Sequence, residues 1–226
     1  MPVLRSGAEV FADGQDVPMS VSITRIPAGP LETNAYLVVD DATNDAIVVD
    51  APPGSLSLIA QAARENGGNV KALVITHGHW DHIGDVAAVA RTFGVPVWAH
   101  ELVVDRIVQP GAGLPIEIEP GTVDATLADG DTVTVGETVF DVMHLPGHDV
   151  GHIALVNTDQ DVFLGGDILF PGGHGRTDIP GSDQAVMNRS LLRLLELPDS
   201  LVVMNGHGLP TTIGNERPWI RGISPA

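Results

Sequence analysis

The stretch Thr76-His77-Gly78-His79-Trp80-Asp81-His82-Ile83-Gly84-Asp85 packs three imidazoles and one carboxylate into six positions, directly after the apolar run Ala72–Thr76. Side chains alternate with period two where a strand ends, so His77 and His79 share one direction, and Gly78 lets the backbone turn closely between them. Asp81 and His82 open the next turn and reach a second, neighbouring point. Three further candidates lie where an apolar run gives way to a glycine-flanked loop, the place where rigid elements can support a site. His148 sits in Pro146-Gly147-His148-Asp149-Val150-Gly151-His152. Asp167 closes Val162-Phe163-Leu164-Gly165-Gly166-Asp167, and His207 closes Leu201-Val202-Val203-Met204-Asn205-Gly206-His207. Each of these is weak by itself; beside the first motif they form a set.

Outward from that motif the chain alternates in type. Short β-rich runs at Val21–Ile26, Ala35–Val39 and Ala46–Val49 predict an antiparallel meander. Helical spacing from Leu56 to Glu65 stops at Gly67-Gly68. After the strand Ala72–Thr76 come a helix from about Asp85 to Phe93, a strand at Val95–Ala99 and a short helix near Leu102–Val108. Pro110–Pro120 reads as loop. Strands return at Thr132–Val135, Thr138–Met143, His152–Val156 and Val162–Gly165, and a helix near Asp183–Leu195 precedes a strand at Leu201–Met204. Two halves that each run strands and then helices predict an α+β fold, a four-layer αββα sandwich, as a single domain over residues 1–226.

Composition narrows the chemistry. With 43% apolar residues among 226, the chain has ample material for a sizeable core, and a folded globular protein is the expectation. Eleven Lys and Arg against 29 Asp and Glu leave a net charge of −18, which repels nucleic acid and anionic lipid. No apolar run approaches the roughly 20 residues that span a bilayer, and the N-terminus carries no basic-then-hydrophobic leader; the expectation is a cytoplasmic protein without membrane or nucleic-acid partners. The sequence has no cysteine, so a metal must sit on imidazole and carboxylate, which directs attention to its nine His.

The strings Thr76–Asp85, Pro146–His152, Gly165–Phe170 and Gly206–Gly208, in this order and spacing, resemble the metallo-β-lactamase superfamily, and more closely its glyoxalase II-like members, relatives of hydroxyacylglutathione hydrolase. Asn34-Ala35-Tyr36, Val48-Val49-Asp50, Gly175-Arg176-Thr177-Asp178 and Thr211-Thr212-Ile213-Gly214 extend the resemblance over nearly the whole chain. It implies the metallo-β-lactamase fold and a dinuclear centre: His77, His79 and His148 on one metal, Asp81, His82 and His207 on the other, and Asp167 bridging. Asp81 and Asp167 are then also the catalytic carboxylates. Asp50 resembles a carboxylate that orients a ligand His. Arg176 falls where the family places a cation on a glutathione carboxylate. His174, in the loop after Asp167, is a second candidate substrate contact. His100, His144 and His152 are read as supporting residues, and Trp80 as a wall.

The implied activity is metal-dependent hydrolysis of a hydroxyacyl thioester such as S-lactoylglutathione. A thiolate of pKa about 8.5 leaves without a strong general acid. Zinc suits imidazole-rich ligation, and a mixed set also accepts iron or manganese. Two departures weaken the glutathione assignment: only 16 residues follow Pro210, where those enzymes have a helical glutathione-binding region, and Asp178 replaces a tyrosine. The alternatives are a persulfide dioxygenase, which shares the Gly-Arg-Thr-Asp string but binds one iron through two His and one Asp, and a lactonase or phosphodiesterase on the same metal pair. Cysteine-ligated β-lactamases are excluded by composition, and Asp167 argues against the others.

Overall fold

The computed structural model describes residues 21–224; the reading of the N-terminus as leaderless falls on residues outside that span. The first sheet contains β1 (Val21–Ala28), β2 (Thr33–Asp40), β3 (Asp45–Val49), β4 (Asn69–Val74), β5 (Val97–Ala99) and β6 (Ala125–Thr126), in chain order. The first three strands form the expected antiparallel meander, and from β3 onward the pairing is parallel. Parallel neighbours need crossovers, and these carry α1 (Leu56–Glu65), α2 (Trp80–Ile83), α3 (Val86–Phe93) and α4 (Val104–Val108). The second sheet contains β7 (Thr132–Val135), β8 (Thr138–His144), β9 (Ile153–Asn157), β10 (Val162–Gly166), β11 (Val202–Asn205) and β12 (Thr211–Thr212), all antiparallel except the pair β10·β11. With it go α5 (Gln184–Arg193) and α6 (Ile213–Ile220).

Strand periodicity explains the layering. Along β2 every residue is buried: Tyr36 and Val38 join the core between the sheets, while Ala35, Leu37 and Val39 join the core under α1 and α3. Likewise β9 sends Ile153 and Leu155 to the inter-sheet core and Ala154 and Val156 to a third core under α5 and α6. Strands buried on both faces read as continuous apolar runs, which is how β3, β10 and the second half of β4, Ala72–Val74, appear in the sequence. The result is the αββα sandwich expected.

Several small elements differ from expectation. The helix near Leu102 divides into a 3₁₀ turn, Glu101–Val103, and α4, because the ring of His100 accepts from the Leu102 amide and caps the turn. The strand expected from Val95 begins only at Val97, past Pro96. The short strands β6 and β12 and the helix α6 had no forecast. Pro218 interrupts the helical pattern of α6, and its start is set by Thr212, whose hydroxyl accepts from the Asn215 amide. Among the described residues no helix is long and apolar enough to cross a membrane.

Candidate metal centre

The strand ends that carry the ligand candidates meet where the two sheets are stitched together. The Asn34 amide of β2 donates to the Gly206 carbonyl at 2.7 Å, Tyr36 Oη donates to the Asn205 carbonyl at 2.7 Å, and the Ile153 amide donates to the Thr76 carbonyl at 2.8 Å. These bonds bring the loops after β4, β8, β10 and β11 to one place. All seven candidates gather there. His77, His79 and His148 form one group, Asp81, His82 and His207 another, and Asp167 joins His77 and His82 in a third; within each group the ligand atoms lie within 4.8 Å of one another. The Asp167 carboxylate lies between the trios, with Oδ1 3.4 Å from His82 Nε2 and Oδ2 3.4 Å from both His148 Nε2 and His207 Nε2.

The outer ring atoms fix which nitrogen faces inward. His82 Nδ1 is 2.8 Å from Asp50 Oδ2, His148 Nδ1 is 2.8 Å from the Arg176 carbonyl, His207 Nδ1 is 3.2 Å from the Leu31 carbonyl and His77 Nδ1 is 3.1 Å from Thr76 Oγ1. Each of these partners accepts, so each ring donates outward and turns Nε2 to the centre. His79 is reversed: its Nδ1 faces His148 Nε2 at 2.8 Å, while its Nε2 lies 3.8 Å from the buried Asp149 carboxylate. His77 Nε2, His82 Nε2 and Asp167 Oδ1 are buried without a hydrogen-bond partner. Buried polar atoms are otherwise nearly always satisfied, so inward lone pairs of this kind are the donor set a divalent cation requires.

Charge agrees with geometry. Burial, reinforced by His82, holds His77 well below the usual imidazole value. Burial and the neighbouring His148 hold His79 at about 4. For Asp81, burial opposes ionisation, but the hydrogen bond to His207 and the charge of His82 outweigh it and hold the carboxyl at about 2; Asp167 is likewise held well below its usual range by His82 and His207. In turn, against burial, Asp167 and Asp50 push His82 well above its usual value, and hydrogen bonds to Asp167 and Asp81 lift His207 to about 9. The carboxylates draw positive charge, proton or metal ion, onto these inner nitrogens.

The supporting shell is made by residues far apart in sequence. Asp50 adopts a left-handed backbone (φ 62°), uncommon for a residue with a Cβ, and its carboxylate accepts from the Thr76 amide and hydroxyl, each at 2.8 Å, as well as facing His82. Asp149 accepts from the Gly78 amide at 3.3 Å and the Gly151 amide at 2.8 Å and is clasped by Arg106. Thr33 Oγ1 donates to Asp81 at 2.8 Å. His152, buried and held at about 3 by burial and His148, accepts from the Asp167 amide at 3.0 Å. Gly206 is required by space: a Cβ there would sit 2.0 Å from Asp167 Oδ1 and 2.8 Å from His82. Sequence reasoning did not single out Asp149, Arg106, Thr33 or Thr76. Asp149 could have been found, since it adjoins His148; nothing in the sequence marks Thr33 or Arg106. His100 and His144 stack on each other, ring centroids 4.2 Å apart, and stand outside the seven-residue cluster.

A cavity of about 540 Å³ opens over the centre, lined by His79, Asp81, His148, Asp167 and His207 at its floor and by Leu31, Trp80, Phe170, His174, Arg176 and Ile179 in its walls. His174 Nδ1 is 2.7 Å from the Gly175 carbonyl. The Arg176 guanidinium is engaged fork-to-fork by Asp178, Nε to Oδ1 at 2.8 Å and a terminal nitrogen to Oδ2 at 3.1 Å.

A fold of this architecture with a His/Asp cluster at the sheet junction defines a class of αββα-sandwich proteins whose members are mostly metal-dependent hydrolases. The family model described as the metallo-β-lactamase superfamily matches residues 28–207, and the chain belongs to that superfamily. It is 34% identical over 210 residues to the hydroxyacylglutathione hydrolase GloC of Haemophilus influenzae, covering 87% of this chain and 95% of that one. Among solved structures, the BLEG-1 B3 metallo-β-lactamase superposes with a TM-score of 0.77 at 33% identity (85% of this chain, 95% of that one). The protein TTHA1623 in a di-iron-bound form superposes with 0.75 at 33% identity (86% and 96%).

Proposed function

We propose that the protein hydrolyses thioesters of small acyl thiols, including hydroxyacyl thiols of the S-lactoylglutathione type, at a dinuclear centre. In this reading His77, His79 and His148 hold one divalent ion, Asp81, His82 and His207 the other, and Asp167 reaches both. The observation that carries it is the placement of the Asp167 carboxylate between two trios whose inner nitrogens face it. Zinc, iron and manganese all suit such an imidazole–carboxylate set. Such a pair, when bound, supplies a water of near-neutral pKa and a Lewis acid for the scissile carbonyl.

The chain's own residues do the rest. Asp50 and Asp149 hold His82 and His79 in orientation, and Thr33 holds Asp81. Trp80 and Phe170 flank the floor of the cavity. With Asp81 held at about 2 and Asp167 held well below the usual carboxylate range, neither carboxyl is a neutral acid for the leaving group. Thioesters fit that constraint because a thiolate departs unprotonated. The 34% identity to a hydroxyacylglutathione hydrolase supports the same class.

Elemental analysis of purified protein, paired with a panel of thioesters, lactones, phosphodiesters and a β-lactam, tests the proposal. About two ions per chain and fastest turnover of thioesters are expected. One iron per chain, with no second ion taken up on reconstitution, would point instead to persulfide oxidation, and preferred cleavage of any other panel member would overturn the thioesterase reading.

A further inference from the structure

The two carboxylates that stand behind ligand imidazoles differ in what else they serve. Asp50 Oδ2 reaches His82 Nδ1 at 2.8 Å, and the other donors to that carboxylate are the neutral amide and hydroxyl of Thr76. Asp149 is clasped by a cation instead. Its Oδ2 accepts from the Arg106 guanidinium and, at 3.3 Å, from the Gly78 amide, while His79 Nε2 stays 3.8 Å from the same oxygen, beyond hydrogen-bond range. The Asp149 side chain is 0% exposed and that of Arg106 is 36% exposed, so water screens the carboxylate little and the guanidinium is its main counter-charge.

Packing holds Arg106 in this place. Gly78, between His77 and His79, lies against α4 and the turn before it so closely that a Cβ there would sit 3.0 Å from Arg106 Cδ and 3.1 Å from Val103 Cβ. The Gly151 amide fixes the other oxygen, donating to Asp149 Oδ1 at 2.8 Å. An imidazole that gives Nδ1 to a metal carries its proton on Nε2, and a carboxylate that accepts this proton makes the ring a stronger ligand. Arg106 and His79 therefore compete for one oxygen.

We propose that Arg106 is a positioning residue that draws Asp149 away from His79 and so loosens the ion held by His77, His79 and His148. This rests on the dinuclear reading above and adds a control on one of its two ions. Without the guanidinium, Asp149 is a buried carboxylate that lacks its counter-charge, which is costly until His79 and the ion on it supply one. Such coupling is reciprocal: the change that destabilises the stripped chain tightens the metal. A residue that only propped the loop would act with the opposite sign, and its loss would weaken metal binding.

The test follows the loss of each ion from the zinc-loaded full chain to a competing chelating dye. Arg106→Gln should tighten one of the two constants about ten-fold, the lower end of what contacts behind a ligand imidazole contribute, and leave the other unchanged. Arg106→Lys, which keeps a charge in place, should match the wild type. In an Asp149→Asn background Arg106→Gln should change neither constant, because the shared oxygen no longer carries the charge. Unchanged or weaker binding in Arg106→Gln, an equal shift of both constants, the same tightening in the Asp149→Asn background, or Arg106→Lys behaving as Arg106→Gln would each overturn the proposal. Thermal unfolding covers a variant too unstable to strip: Arg106→Gln should lower the midpoint less with zinc bound than without, and an equal or larger loss with zinc bound would overturn the proposal. One ion per chain in every form would remove the dinuclear reading by itself. The proposal then stands if that ion binds about ten-fold more tightly in Arg106→Gln, and falls if it does not.

Discussion

Two regions of the molecule build one site by different means. The loop after β4 brings four of the seven candidates, His77, His79, Asp81 and His82, on six consecutive residues, whereas His148, Asp167 and His207 come from three separate strand ends of the second sheet. In the first region the spacing of the ligands is set by the covalent chain. In the second it is set by strand register, above all by the parallel pairing of β10 with β11, which matches Gly166 to Asn205 and so places Asp167 near His207. A slip of one residue there would turn one of the two away. Local geometry is cheap to encode and easy to read; register has to be stabilised by a sandwich of two sheets.

Asp167 is where the two regions join, so its removal is the strongest way to break the comparison. Asp167→Ala is expected to reduce turnover below detection and to lower the metal content per chain, while the far-ultraviolet circular dichroism stays that of the wild type. The carboxylate faces His82 from the contiguous loop and His148 and His207 from the second sheet, so its loss affects both groups together. Full activity with two ions still bound would show that neither region needs the joint, and the bridging role given to Asp167 would fall.

This contrast also accounts for what the sequence disclosed. The first motif is dense enough to stand out from its surroundings, and the three scattered candidates became a set only in its company. Doubly buried strands such as β2 and β3 read as apolar runs because both faces pack. The elements that escaped notice, β6, β12 and α6, are short or interrupted by Pro218 and owe their conformation to neighbours. The supporting contacts of Thr33 and Arg106 escaped for the same reason. Their partners, Asp81 and Asp149, lie 48 and 43 residues away, and no local periodicity records that.

The contiguous loop is itself not self-sufficient, and a smaller perturbation sharpens that point. Asp50 reaches His82 across 32 residues at 2.8 Å, and Asp149 approaches His79 at 3.8 Å while accepting from the Gly78 amide. Replacement of a carboxylate that orients a ligand imidazole typically costs 10–100-fold in metal affinity. Asp50→Asn is expected near the upper end of that range and Asp149→Asn near the lower, since only Asp50 makes a direct short bond to the ring. Competition with a chelating dye would measure both. Equal wild-type affinity in the two variants would mean that the loop positions its ligands unaided.

The smallest effect expected serves as the control for sheet docking without ligand assembly. β2 runs from Thr33 at the site to Asp40 at its other end, where the buried Asp40 carboxylate accepts from Thr138 Oγ1 at 2.8 Å and the Glu137 amide at 3.2 Å on the second sheet, and from Thr43 on its own. Burial alone would raise the pKa of Asp40, but the hydrogen bonds from Thr138 and Thr43 outweigh it and hold it below 3.8. A carboxyl whose pKa is depressed by folding contributes stability above its unfolded value, and that contribution is lost as the pH falls through the folded value. Asp40→Asn turns an amide donor towards groups that also donate, a mismatch of about 1–3 kcal/mol. Urea unfolding at pH 7 should therefore show a lower midpoint for the variant with the same metal content, and the gap should shrink as the pH is lowered below about 3.8, the ordinary carboxylate value. A gap that persisted unchanged into strong acid would remove the charge on Asp40 from the account, and a loss of metal at pH 7 would show that docking of the sheets at this end also governs the ligand geometry at the other.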